Sequence, residues 1–164
     1  MTRRRHLIAV AVVAGLGAAG CSSGGDAVPT TSVAATTTTI PPRADSDGRL
    51  VVGILLPTGD TVIGDPMVSA AELAIERINL AGGVMGVPVS SVVADEGTTT
   101  GSATTAIQSL LADDVDVIVG PGSSTIALST LDEIVSSGTL ACSPTASALA
   151  LDGFPDAGLF FRTA

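Results

Sequence analysis

Between residues 49 and 164 the chain alternates short apolar runs with stretches whose apolar residues recur at helical spacing. Leu50 to Leu56, LVVGILL, carries no polar side chain. A run of that length without alternation fits a strand covered on both faces, as in a parallel sheet. PTGDTVIGD follows as a loop. Asp65 reads as an N-cap, with Pro66 at the first helical position. Met67, Ala70, Ala71, Ala74, Ile75 and Ile78 then predict a helix, which Gly82-Gly83 ends. Glu72, Glu76 and Arg77 fall on its solvated side.

The same alternation continues. Val87 to Ala94 predicts a second strand ending at Asp95-Glu96, and Ser102 to Asp113 a second helix with Ala106, Ile107, Leu110 and Leu111 inward. Val115 to Val119 predicts a third strand. Thr125 to Ser136 predicts a third helix with Ile126, Leu128, Leu131, Ile134 and Val135 inward. Thr139 to Cys142 reads as a short fourth strand and Leu159 to Arg162 as the start of a fifth. Strands alternating with helices of this length specify the fold class: α/β, a parallel sheet flanked by helices with right-handed crossovers. Ligands bind such sheets at the carboxyl ends of the strands. PTGDTVIGD, DEGTTTGS, GPGSST and SPTAS all fall there.

Composition narrows the chemistry. The chain of 164 residues has a formal net charge of −9 and no basic cluster in its globular part. Nothing there neutralises phosphates, so nucleic acid is not an expected partner. His6 is the only histidine, and Lys, Tyr and Trp are absent. A Ser-His-Asp triad, a Cys/His zinc site, a lysine Schiff base and a Lys-bearing phosphate loop therefore cannot be assembled. No metal or cofactor is expected, and no catalytic residue is assigned. Carboxylate chemistry at Asp95 or Glu96 is what stays open; acids at a strand end also cap helices or meet solvent. Cys142 lies in an apolar strand and reads as a buried thiol.

The N-terminal segment has a different logic. Arg3, Arg4 and Arg5 precede an apolar run from Leu7 to Gly17, and Ala18-Ala19-Gly20 leads into Cys21. This resembles a bacterial lipoprotein signal, which implies cleavage before Cys21 and a lipid on its sulfur. The start is also loosely similar to a twin-arginine signal. Residues 1–20 thus read as a lipoprotein signal peptide. Residues 21–48, rich in Thr and Pro, read as a disordered tether that holds a folded domain off a membrane.

Two loops carry the binding signal. In Gly120-Pro121-Gly122-Ser123-Ser124-Thr125, glycines permit a tight turn and the N–H groups at a helix start suit a carboxylate or another small anion. The same residues also make a plain strand-to-helix turn with Ser as N-cap, and the sequence leaves both readings open. Ser143 to Ser147, SPTAS, offers further hydroxyls at the same sheet end.

VGILLPTGD, IGDPMVSAAELAIERINLAGGVMGVPV, VADEGTTTGSATTAIQSLLADDVDVIVGPGSS and SPTASALAL together resemble the type I periplasmic binding proteins. The nearest branch in pattern is the substrate-binding lipoproteins of branched-chain amino acid ABC transporters. The resemblance implies that residues 49–164 are part of the N-terminal lobe of a two-lobe receptor that closes on an amino acid or related small carboxylate. It implies ABC permease and ATPase subunits as partners and an extracytoplasmic, lipid-anchored location. By position, Ser123 and Ser124 would meet the ligand carboxylate. The loop of Thr145, Ala146 and Ser147 would meet its ammonium; Thr145 would offer its carbonyl, and Ser147 its hydroxyl and N–H. Ile63 stands where amino-acid binders often place an aromatic. Thr98 and Ser123 stand where some members carry a disulfide, so none is expected. The family's chains run to more than twice this globular length, so the rest of the receptor is expected to be missing here. A sensor domain of the same fold, a carboxylate-dependent hydrolase and a non-functional remnant are the rival readings.

Overall fold

β1, Val51–Leu56, is the strand on which the sheet is organised. Ile54, Leu55 and Leu56 have no exposed surface. The computed structural model describes residues 47–164, so the signal peptide and nearly all of the tether lie outside the described residues. β2 (Ser90–Asp95) pairs with one side of β1, and β3 (Val117–Val119) with the other. β4 (Leu140–Ser143) and β5 (Phe160–Arg162) continue outward, giving a five-stranded parallel sheet of order β2-β1-β3-β4-β5. The predicted fold class is the observed one.

That order decides where the helices go. The chain leaves β1 in one direction to form β2, then returns past β1 and proceeds the other way. With right-handed crossovers, reversal of direction puts the first helix on the opposite face from the next two. α1 (Gly64–Leu80) accordingly packs Met67, Val68, Ala71 and Ile75 on Val52, Ile54 and Leu56. α2 (Thr100–Ala112) and α3 (Ser124–Ser136) cover the other face, where Ile107, Leu110, Ile118, Leu131 and Ile134 are fully or almost fully buried. Among the described residues no helix is long and apolar enough to cross a membrane.

Several boundaries differ from the sequence reading, each for a local reason. α1 starts at Gly64, one residue before the predicted cap. The capping work is done upstream by Asp60, whose Oδ1 accepts from the Val62 and Ile63 N–H groups at 2.9 and 3.1 Å. Its end is as expected: Gly82 and Gly83 take positive φ, and their N–H groups donate to Asn79 and Ile78 carbonyls. β2 begins at Ser90, not Val87. Val84 and Val87 instead pair across a tight turn at Met85-Gly86, both at positive φ. The Asn79 side chain then takes both backbone groups of Val89, at 2.7 and 2.9 Å, standing in for a strand neighbour. α2 is capped by Thr99, which exchanges hydrogen bonds with Ser102. The inward stripe of α1 is narrower than its apolar pattern: Ala70, Ala74 and Ile78 are exposed. Leu128 of α3 is 37% exposed.

The α1-side face of the sheet is not fully covered. Register places Val117 opposite Leu140, and Val119 in line with Cys142 and Phe161. These five are only part-buried or exposed, Phe161 to 52%. Cys142 is therefore half-buried rather than enclosed, and it is a free thiol.

Candidate ligand-binding cleft

The reversal of winding at β1 parts the loops that follow β1 and β3, and a crevice opens between them at the carboxyl end of the sheet. It encloses about 500 Å³. Pro57, Asp60, Ile63 and Met67 line it from the β1 side, and Glu96, Gly97 and Thr98 from the end of β2. Gly122, Ser123, Thr125 and Ile126 line it from the start of α3, and Thr145 from the loop after β4. The sequence-predicted residues Ile63, Ser123 and Thr145 thus share one cleft. Ser124 sits between two lining residues. Ala146 is fully buried behind the loop and Ser147 is exposed beside it.

Glycine is required where the β3 loop leaves the sheet. Gly120 has φ +133°, and a Cβ there would lie 2.0 Å from the Leu55 carbonyl oxygen. The loop therefore lies directly on the end of β1. Gly122 also packs closely, with Pro57, Met67 and Thr145 about its Cα.

The loop after β4 is tied to the loop after β3 by hydroxyl groups. Ser143, fully buried, donates to the Pro121 carbonyl and accepts from Ala146 N–H at 3.0 Å. Thr145 Oγ1 donates to the Gly122 carbonyl at 2.8 Å. Ser124 Oγ accepts from the N–H groups of Ser147 and Ala148 at 2.9 and 3.2 Å. Arg162 closes the loop from below, donating to the carbonyls of Ala146 and Ala148 and pairing with Asp152. The serines of SPTAS are thus partly structural: Ser143 is an internal staple, and the Ser147 N–H is already engaged by Ser124.

A hydroxyl has one proton and two acceptor positions. Both acceptor positions of Ser124 are taken by backbone N–H groups, so what it has left to offer is its proton. The N–H groups of Ser124 and Thr125, in the first turn of α3, have no partner among the described residues. Donors without acceptors at a helix start suit an anion. Ser123 occupies the N-cap position, yet its side chain makes no capping bond.

The two N–H groups just before the helix are taken by Glu96, which the sequence left open between carboxylate chemistry, a helix cap and a solvated acid. Its side chain is 1% exposed and reaches from the end of β2 across β1 to the β3 loop. It accepts from Gly122 N–H at 2.6 Å and from Ser123 N–H at 3.1 Å. Burial raises its pKa, and nearby Asp95 adds to the rise, while the two N–H bonds oppose it. The spacing of Glu96 to the glycine loop, across an intervening strand, left no local trace in the sequence. Asp95 is occupied by Gly97 N–H at 3.0 Å. Among the described residues no three His, Cys, Asp or Glu side chains gather as metal ligands. Asp60 and Glu96 are the only ionisable groups among the residues lining the cleft.

A periplasmic binding protein family model matches residues 50–164. A Leu/Ile/Val-binding protein from Rhizobium johnstonii is 30% identical over 109 residues, 65% of this chain and 29% of that protein. Among solved structures, the branched-chain amino acid transporter substrate-binding protein LivJ from Streptococcus pneumoniae, in complex with isoleucine, superposes with a TM-score of 0.63. It is 24% identical and aligns with 70% of this chain and 33% of its own. An ABC transporter substrate-binding protein from Desulfitobacterium hafniense, in complex with Leu, gives 0.58 at 26% identity, with 70% and 33% covered. The chain spans about a third of the length of the relatives it matches. With the sheet order, the cleft at its switch point and the family match over residues 50–164, this chain belongs to the periplasmic binding protein family.

Proposed function

We propose that residues 49–164 form part of the N-terminal lobe of an extracytoplasmic solute receptor that captures amino acids, leucine, isoleucine and valine foremost, for an ABC importer. The observation that carries this reading is the donor-only state of Ser124. Its hydroxyl proton and the Ser124 and Thr125 N–H groups are donors without an acceptor among the described residues, a set that suits a carboxylate. Relatives that bind Leu/Ile/Val and Leu support the amino-acid class. The lining carries acids and no base, which favours a ligand that brings its own positive charge, a zwitterion over a simple anion. Ile63, 56% exposed at the rim, and Met67 are the apolar surface offered to an aliphatic side chain. In this reading Ser123, Ser124 and Thr145 face Ile63 across the site, Ala146 and Ser147 belong to the loop that carries Thr145, and the chain binds without transforming its ligand.

The reading extends to the segment outside the described residues. Residues 1–20 act as the signal peptide, Cys21 carries the lipid, and residues 21–48 form the tether; permease and ATPase subunits receive the ligand. The experiment for the anchor is metabolic labelling with a fatty-acid probe, with label expected on the protein and lost in Cys21→Ala. The experiment for the ligand is a screen of amino acids against the purified chain by amide NMR. Responses from Ser124, Thr125 and Thr145 to branched aliphatic amino acids are expected. A response confined to compounds without an α-carboxylate would reject the reading.

A further inference from the structure

We infer that Glu96 is a positioning residue of the cleft: its carboxylate, not the ligand's, occupies the Gly122 and Ser123 N–H groups, which holds the loop so that Ser124 is the first residue with donors left for a ligand. The inference rests on the amino-acid reading for what binds at Ser124, and on geometry alone for what Glu96 does.

A helix start leaves its first N–H groups without partners and attracts negative charge. Here the loop before the helix adds two more N–H groups to that set. Gly122 and Ser123 N–H donate to Glu96 at 2.6 and 3.1 Å, while Ser124 and Thr125 N–H have no partner among the described residues. An external carboxylate placed at Gly122 and Ser123 would sit against the Glu96 carboxylate, and like charges at that separation repel strongly in a buried site. The anion is therefore displaced one residue along, to the place where the Ser124 hydroxyl has only a proton to give. Glu96 reaches this point from β2 by crossing the end of β1, so it also fixes the β3 loop relative to the β1 loop that forms the opposite wall. The ionisable group acting on it is Asp95, adjacent at the end of β2; Asp60, from the β1 loop, is the other acid of the cleft lining, to which α1, α3 and the β4 loop bring none.

The test uses the whole chain with its amide resonances assigned, in wild type, Glu96→Gln and Glu96→Asp, with L-leucine as the probe. Gly122 and Ser123 amides are expected to titrate together in wild type, with a midpoint above the ordinary glutamate value of 4.5, and to lose that titration in Glu96→Gln. Leucine is expected to move Ser124 and Thr125 amides, and Glu96→Gln to need about tenfold more leucine for the same response, because the loop that presents Ser124 is no longer held in place. Glu96→Asp keeps the charge on a shorter stem, so it should restore the titration only in part; it also serves if the glutamine variant does not fold. A lowered melting temperature with an unchanged leucine midpoint would mean a purely structural role and overturn the inference. So would Gly122 and Ser123 amides that ignore the Glu96 titration. If no cleft amide of the wild type answers to leucine, the amino-acid reading fails instead, and the coupled titration alone decides for or against Glu96.

Discussion

The hydroxyl oxygen of Ser124 lies 2.9 Å from the amide nitrogen of Ser147, a contact that ties the loop after β3 to the loop after β4. A second bond, from Ala148 N–H, fills the other acceptor position. The same atom that joins the two loops is thereby turned into a pure donor. Ser124→Ala is expected to destabilise the domain by about 1–2 kcal/mol, because two N–H groups lose their acceptor. Chemical denaturation measures this. Ser124→Thr keeps the oxygen and should recover most of the loss.

Glu96 makes stability depend on pH in a stated direction. Its pKa in the folded protein lies above the value of 4.5 it has when unfolded, chiefly because it is buried. Between those two values the folded state holds the proton more tightly than the unfolded state. The contribution is thus present below 4.5 and is lost as pH rises through the raised pKa. Denaturation curves across this range should show wild type losing stability relative to Glu96→Gln as pH rises. Parallel curves would contradict the assignment.

Gly120 is the backbone position least able to accept a side chain. Its φ of +133° strains any other residue, and the added Cβ would meet the Leu55 carbonyl oxygen at 2.0 Å. Gly120→Ala should cost about 3 kcal/mol or more, through displacement of the loop from β1. Gly101 has open space beyond its Cα, so Gly101→Ala inside α2 is the control and should be neutral or slightly stabilising.

The half-open row Val117, Val119, Leu140, Cys142 and Phe161 should make the isolated chain sticky. Binding of an environment-sensitive apolar dye and sedimentation velocity report this. Phe161→Thr, which keeps strand propensity at a position 52% exposed, should lower dye binding and self-association with little effect on stability. Unchanged dye binding would place the apolar surface elsewhere.

What the sequence made legible follows from how local each cause is. LVVGILL and VDVIV announced strands because their own side chains are the signal, and the Gly82-Gly83 stop is a property of two adjacent residues. The start of β2 was misjudged because Val87 is held by a turn at Met85-Gly86 and Val89 by Asn79, ten residues earlier. The Asp65 cap failed in the same way, since Asp60 had already taken the N–H groups that precede α1. At the site, Ile63, Ser123 and Thr145 line one cleft, each from a different loop. The partners of Ser143 and Glu96 were not legible, because they lie 22 and 26 residues away in sequence and meet them only once the sheet is formed.

One titration bears most directly on the account: L-leucine into the purified chain by calorimetry, with Ser124→Ala in parallel. A micromolar dissociation constant corresponds to about −8 kcal/mol and a millimolar one to about −4. A chain that supplies one wall of the cleft, taken as roughly half of the binding energy, should bind on the order of millimolar, and Ser124→Ala should abolish the heat. Micromolar binding by this chain alone, or millimolar binding unchanged in Ser124→Ala, would contradict the account.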